Sequence, residues 1–368
     1  METTAAMSFV PQRALITKLR HHGDVLLTTP LIRALHHYYP GIEVDALIYR
    51  ETEDMLRHNP QVAQRWTIDR RWKKEGVRTQ VAHEKRLWQA MKARRYDLLI
   101  HLTESWRGVA LARGLGVARS IAFAYPRRDN FFWRHGFTDL APLPEAPCHN
   151  VALQLSTLPA LGLTPNAADF PLSLTVDAAA RTAVLAALRN IGWQGQPYLL
   201  IHPGARWFFK CWENASFAAV IDALVAHGQT IVLTGAPDAR ETEMAADILS
   251  RLKDTARVHS LVGLLSLVEL AAAIDEARFF IGVDSVPMHM AAALQKPGVV
   301  LFGPSKVHEW SPWQAPITVL KAADWTTLPH PDSIDTATTT RYLAAIPVVA
   351  VLEAVQARMA GLPPPIRR

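Results

Sequence analysis

Apolar residues in this chain recur in short blocks separated by amphipathic stretches. Residues Arg13–Leu19 form an apolar run that predicts a strand, followed by His21-His22-Gly23-Asp24 and an amphipathic segment over Val25–Tyr39. Val44–Tyr49 and Leu98–Leu102 predict two more strands, with helical spacing over Glu51–His58 and Glu84–Ala93. The second half repeats the alternation. Strands are expected at Tyr198–His202, Thr230–Thr234, Phe279–Val283 and Val299–Phe302, and helices at Ala215–His227, Glu241–Leu252 and Met288–Leu294. Strands alternating with helices imply parallel, doubly wound sheets, so the chain reads as two Rossmann-like units. Thr164-Pro165-Asn166 and Phe170-Pro171 punctuate the pattern within 163–176, which places a domain boundary there.

The length agrees with two domains: 368 residues exceed the roughly 100–200 of a single one. The composition, 49% hydrophobic and 20% charged, is that of a globular protein. Cys148 and Cys211 form neither a disulfide framework nor a metal cluster and suit a reducing compartment. The residues Met1–Arg20 lack the pattern of a secretory signal. The longest apolar run, Leu343–Leu352, is broken by Pro347 and is too short to span a bilayer. Pro363–Arg368 reads as a frayed tail.

The net charge of +6 is unevenly placed. Residues 1–165 hold 23 Lys and Arg against 15 Asp and Glu, whereas 166–368 hold 16 against 18. A basic first half is compatible with nucleic acid, anionic lipid or an acidic substrate. Arg70-Arg71-Trp72-Lys73-Lys74 and Pro126-Arg127-Arg128 are charge runs of a kind usually left in solvent. With Trp among them they also suit phosphorylated sugars. No continuous nucleic-acid stripe is evident.

Ligands of open α/β sheets sit beyond the carboxyl ends of the strands, so the loops there carry the candidate chemistry. Asp24 follows the first strand and is either a helix N-cap or a general base. Pro30 allows a helix that begins near Asp24, or one capped by Thr29. His202-Pro203-Gly204-Ala205-Arg206 followed by Lys210 outlines a phosphate site, although neither a Walker A nor a dinucleotide fingerprint is present. Asp284-Ser285-Val286-Pro287-Met288-His289 opens a helix whose N–H groups around Ser285, Val286 and Met288 would face the same ligand. There Asp284 is alternatively a cap and His289 a core histidine. Gly235 and Asp238, after the adjacent strand, place an acid where a ribose hydroxyl would lie. Three such loops suggest a nucleotide diphosphate.

The segment Lys18-Leu19-Arg20-His21-His22-Gly23-Asp24-Val25-Leu26-Leu27-Thr28-Thr29-Pro30 resembles the opening of the lipopolysaccharide heptosyltransferases, glycosyltransferase family 9. His202–Ala205 with Lys210-Cys211-Trp212, Asp284–Leu294, Leu301–Ser305 and Trp310–Trp313 resemble its later blocks in order. The resemblance implies an α/β GT-B fold: two Rossmann-like doubly wound domains facing across a cleft. The expected division is 1–165 for the acceptor, 166–345 for the nucleotide sugar, and 346–368 for a helix crossing back to the first domain, with the tail.

The resemblance further implies Asp24 as catalytic base and Lys210 as the cation on the leaving diphosphate. Gly204, Ala205, Arg206, Gly235, Asp238, Asp284, Ser285, Val286, Met288 and His289 would bind the donor. Arg20, Gly23, Arg71, Trp72, Lys73, Lys74, Arg127 and Arg128 would bind the acceptor. The expected reaction is inverting transfer of L-glycero-D-manno-heptose from ADP-heptose to a heptose of a lipid-anchored, phosphorylated heptose/Kdo core. It would take place at the cytoplasmic face of a Gram-negative inner membrane, in peripheral contact with it, with no metal, no cofactor and no nucleic acid. Many family members have Gly where Val286 stands. Asp-Ser-Val-Pro and Arg-Arg-Trp-Lys-Lys resemble the branch that adds the third, side-branch heptose. The alternatives are addition of the first or second heptose, another nucleotide sugar, or a bilobal binding protein without catalysis.

Overall fold

The computed structural model describes residues 9–363. The expected Pro363–Arg368 tail therefore lies, from residue 364 on, outside the described residues, as do the first eight residues of the Met1–Arg20 segment. The chain forms two compact units that divide between Ser173 and Leu174.

The first unit holds six strands: β1 (Arg13–Lys18), β2 (Glu43–Tyr49), β3 (Gln64–Ile68), β4 (Leu98–His101), β5 (Arg119–Phe123) and β6 (Asp139–Ala141). They form one parallel sheet in the order β3-β2-β1-β4-β5-β6. The second unit holds β7 (Tyr198–His202), β8 (Thr230–Leu233), β9 (Val258–Ser260), β10 (Phe279–Val283), β11 (Gly298–Phe302) and β12 (Ile317–Lys321). Its sheet, also parallel, runs β12-β11-β10-β7-β8-β9. Counted from the first strand of each unit, both sheets have the doubly wound order 3-2-1-4-5-6. The order reverses between β1 and β4 in one unit and between β7 and β10 in the other, which fixes where each can hold a ligand.

The central strands are legible because both their faces are covered. β4, β7, β10 and β11 are apolar along nearly their whole length and buried, and β1 is apolar over its buried middle, Ala14–Ile16. The sequence pattern missed β3, an edge strand reading Gln-Arg-Trp-Thr-Ile and only partly buried, the strands β5 and β12, and the three-residue β6 and β9. Several helices differ from expectation. The Glu51–His58 stretch is a 3-10 segment at Arg50–Met55, and the helix expected at Glu84–Ala93 begins at Val77. Val25–Tyr39 is two helices, His22–Leu26 and Thr29–Tyr38, with Thr28 at the second N-cap and Pro30 in its first turn.

The last helix is Val348–Ala360. Its buried Val351 and Val355 belong to the core of the second unit, against the helix Asn214–Ala226 and strands β11 and β12. No helix among the described residues is long and apolar enough to cross a membrane.

Candidate active site

In the first unit, β1 delivers Lys18 and then Asp24 to the switch point. Asp24 is not the N-cap weighed from sequence. It occupies the third position of the short helix His22–Leu26, and the N-cap His21 N–H donates to its Oδ2 at 3.3 Å. Its Oδ1 lies 3.6 Å from Nζ of Lys18, a lysine buried at the end of β1 whose pKa burial pulls below the usual range. Gly23, one residue earlier, is buried in the same turn.

Beside them, β1 and β4 are in register at Thr17 and His101, and the Thr17 hydroxyl bonds His101 Nδ1. Nε2 of His101 faces the Ser105 carbonyl at 3.1 Å. Burial lowers this histidine to about 4, so it is neutral, with a proton on Nε2 to serve Ser105. A Cβ at Gly108 would overlap the His101 ring, so the glycine makes room for it.

Two cavities adjoin this loop. The Leu19 N–H donates to Thr103 Oγ1 at 3.0 Å, and both residues line each cavity. One, of about 440 Å³, is lined by Arg20, Arg127, Arg128 and Glu104. The other, of about 390 Å³, is lined by Tyr49, Trp72, Lys73, Glu84 and Arg107 among others. Five of the predicted acceptor residues are thus gathered around Leu19 and Thr103.

Arg71 is directed elsewhere. Its guanidinium bonds both carboxylate oxygens of Asp69 at 2.7–3.1 Å and holds that acid down to about 2. Lys74 ends the same turn and lines neither cavity. Trp72 stacks on His83 with ring centroids 4.8 Å apart.

In the second unit, the loops after β7 and β10 meet across the switch point. Lys210 Nζ donates to Asp284 Oδ2 at 2.6 Å, with the side chains 15% and 5% exposed. The ammonium also lies 5.1 Å from the centre of the Trp207 ring. Asp284 is therefore not a cap: Ser285 takes the N-cap of the helix Val286–Ala293, and its hydroxyl donates to the Val283 carbonyl.

One predicted donor group is already used, since the Met288 N–H donates to Ser285 O at 3.2 Å. The side chains of Met288 and His289 are buried, the latter edge-on to Trp310. The loop after β7 is held from behind, where Arg240 donates to the carbonyls of Ala205 and Arg206 at 3.2 and 3.0 Å. Arg341 bonds Trp212 O and Asn214 Oδ1 at the far end of the same loop.

Asp238, expected to meet a ribose, caps the helix Ala239–Ser250 by accepting from the Glu241 N–H at 3.1 Å. The carboxylate that reaches beneath the loops is Glu241, which sequence reading missed. The Ala236 N–H donates to its Oε2 at 2.7 Å, and His202 Nε2 lies 3.8 Å from the same oxygen. Burial raises the pKa of Glu241 and lowers that of His202 to about 4. A Cβ at Gly204 would overlap the Glu241 carboxylate, and one at Gly235 would crowd it at 3.3 Å. Both glycines are thus needed by a neighbour that only the fold brings near. Among the described residues no group of three His, Cys, Asp or Glu is placed to hold a metal.

The family model for glycosyltransferase family 9 (heptosyltransferase) matches residues 85–336. The chain belongs to glycosyltransferase family 9. Among family 9 relatives it is 37% identical over 337 residues to lipopolysaccharide heptosyltransferase 3 of Escherichia coli, covering 92% of this chain and 96% of that one. The crystal structure of a family 9 glycosyl transferase from Veillonella parvula matches with a TM-score of 0.81 at 22% identity, over 95% of this chain and 98% of that chain. The structure of E. coli ADP-heptose lps heptosyltransferase II matches with a TM-score of 0.74 at 21% identity, again over 95% and 98%. The fold is GT-B, with two parallel doubly wound sheets.

Proposed function

We propose that this family 9 enzyme transfers L-glycero-D-manno-heptose, with inversion, from ADP-heptose to a heptose hydroxyl of the lipopolysaccharide inner core, adding the third, side-branch heptose. The observation that carries this reading is the content of the two switch points: a part-buried carboxylate, Asp24, in one and a part-buried cation, Lys210, in the other. The higher identity to a relative named heptosyltransferase 3 than to the matched heptosyltransferase II supports the branch.

In this mechanism the acceptor oxygen forms its bond to C1 of the heptose as the bond from C1 to the ADP oxygen breaks. The hydroxyl proton passes to the Asp24 carboxylate, which Lys18 and the His21 N–H hold in place. Lys210 meets the charge that grows on the departing diphosphate, together with backbone N–H groups of the Gly204 loop and of the Ser285 turn. Asp284 then acts by positioning Lys210 rather than by touching phosphate, since a carboxylate there would repel it. The Arg20, Arg127 and Arg128 cavity suits a phosphate of the acceptor, and the cavity with Trp72 and Lys73 suits a sugar ring. The enzyme would work at the cytoplasmic face of a Gram-negative inner membrane, in peripheral contact with it.

The deciding experiment incubates the protein with ADP-heptose and core acceptors of one, two or three heptoses, and weighs the products. Addition to the two-heptose acceptor alone is expected. Addition only to another acceptor would replace the branch assignment, and no transfer to any would overturn the reading.

A further inference from the structure

The chain after β5 exposes two adjacent aromatic rings that the core does not use. Phe131 and Phe132 begin a single helical turn, Phe131–Arg134, and are 67% and 72% exposed. Their ring centroids are 5.8 Å apart and the planes nearly perpendicular.

This exposure is built in. Trp133, the next residue, is 1% exposed, and its Nε1–H donates to Phe123 O at 3.0 Å. It packs edge-on against Trp106, Tyr125 and Phe137. The Asn130 side chain accepts from the Trp133 N–H at 3.0 Å and closes the turn. With Trp133 fixed inward, the two preceding side chains project outward on a rigid base. Trp106, 44% exposed, lies beneath the guanidinium of Arg128.

The charge around the rings is basic. Arg134 pairs Asp129 at 2.5 Å, and Arg128 lies 3.5 Å from Glu104. Arg127 is exposed and has no acidic partner among the described residues. Arg113 adds a further cation, bonded to the His135 carbonyl. Aromatic tips with arginines at their base match the bilayer interface, where rings lie at headgroup depth and cations meet anionic lipid. Perpendicular rings do not offer the parallel platform that successive bases of a single strand would need.

We propose that the Phe131–Phe132 turn is a membrane-surface anchor, its rings entering the interface of an anionic bilayer while the exposed Arg113 and Arg134 beside them meet lipid phosphates. This assigns side chains to the membrane contact in the proposed function, but vesicle binding needs neither donor nor acceptor, so its failure is distinguishable from failure of that reading.

The test is sedimentation of the full chain with phosphatidylcholine vesicles containing roughly 30% phosphatidylglycerol, against phosphatidylcholine alone. Binding to the anionic vesicles is expected, weakened when salt of about 1 M shrinks the screening length to about 3 Å. The double variant Phe131→Ser/Phe132→Ser should partition about tenfold less or weaker still, for loss of two ring insertions. Phe131→Leu/Phe132→Leu should bind like the parent. The serine variant should keep its transfer rate on a soluble, delipidated acceptor. Equal sedimentation of parent and serine variant would overturn the proposal, as would no binding by the parent. Capture by a single-stranded oligonucleotide in place of vesicles would overturn it as well.

Discussion

Lys210 and Asp284, 74 residues apart in sequence, meet at 2.6 Å across the switch point of the second sheet. The pair is formed because β7 and β10 are neighbours and each releases its loop at the same end. Each side chain is mostly buried, so neither charge is readily replaced by water.

A double-mutant cycle tests whether Asp284 acts through the lysine. Lys210→Ala and Asp284→Asn should each reduce turnover and weaken donor binding, and the double variant should be little worse than Lys210→Ala. Breaking a buried pair at one end also costs about 3 kcal/mol of stability, measurable by urea unfolding. Additive losses in turnover would give Asp284 an independent contact with substrate.

Asp24→Asn preserves shape and removes the proton acceptor. Turnover should fall by about 10²–10⁴, the range of general-base catalysis, while calorimetric binding of ADP-heptose stays near that of the parent. Substantial turnover by this variant would remove the base assignment.

His101 and His202 give the fold a pH dependence. Burial lowers both from 6.5 to about 4, so between these values the unfolded chain binds more protons than the native one. Stability therefore rises with pH through this window and is lost as pH falls from about 6.5 to about 4, by up to about 3 kcal/mol for each histidine. Glu241, whose pKa is raised by burial, has the opposite sign: it disfavours the fold as pH rises through its titration. Urea midpoints measured at several pH values in this range should show the net loss. A flat profile would mean that the two rings titrate in the native state as they do in the unfolded chain.

Gly108→Ala should destabilise the first unit by about 2 kcal/mol, because the methyl would overlap the His101 ring and displace it from Thr17 and Ser105. Gly41→Ala is a useful contrast. A Cβ there meets nothing within 4 Å, but the positive φ of 89° makes its cost one of backbone strain. Thermal unfolding would compare the two, and an unchanged midpoint for Gly108→Ala would show that His101 can relax without loss.

The two-unit α/β plan was legible because buried parallel strands must be apolar throughout. Leu98–His101, Tyr198–His202 and Phe279–Val283 announce themselves for that reason. The positions of Asp24 and Lys210 at strand ends were equally readable, since a loop that follows a central strand has one place to go. What each acid does was not. Asp24, Asp238 and Asp284 look alike in sequence, each just before or within the start of a helix, yet one pairs with Lys18, one caps a backbone and one grips Lys210.

Glu241 shows the limit most clearly. In sequence it is one acid in Ala-Arg-Glu-Thr-Glu; in the structure it lies under Gly204 and Gly235, bonded to Ala236 and close to His202. The excess charge of the first half has a similar history, because many of its arginines are spent on Glu43, Asp45, Asp69, Glu84 and Asp139. Local pattern and strand-end rules determine which residues arrive at a sheet edge. Only the tertiary structure decides which of them meet, because pairing depends on strand order and on distances set by segments far apart in the chain.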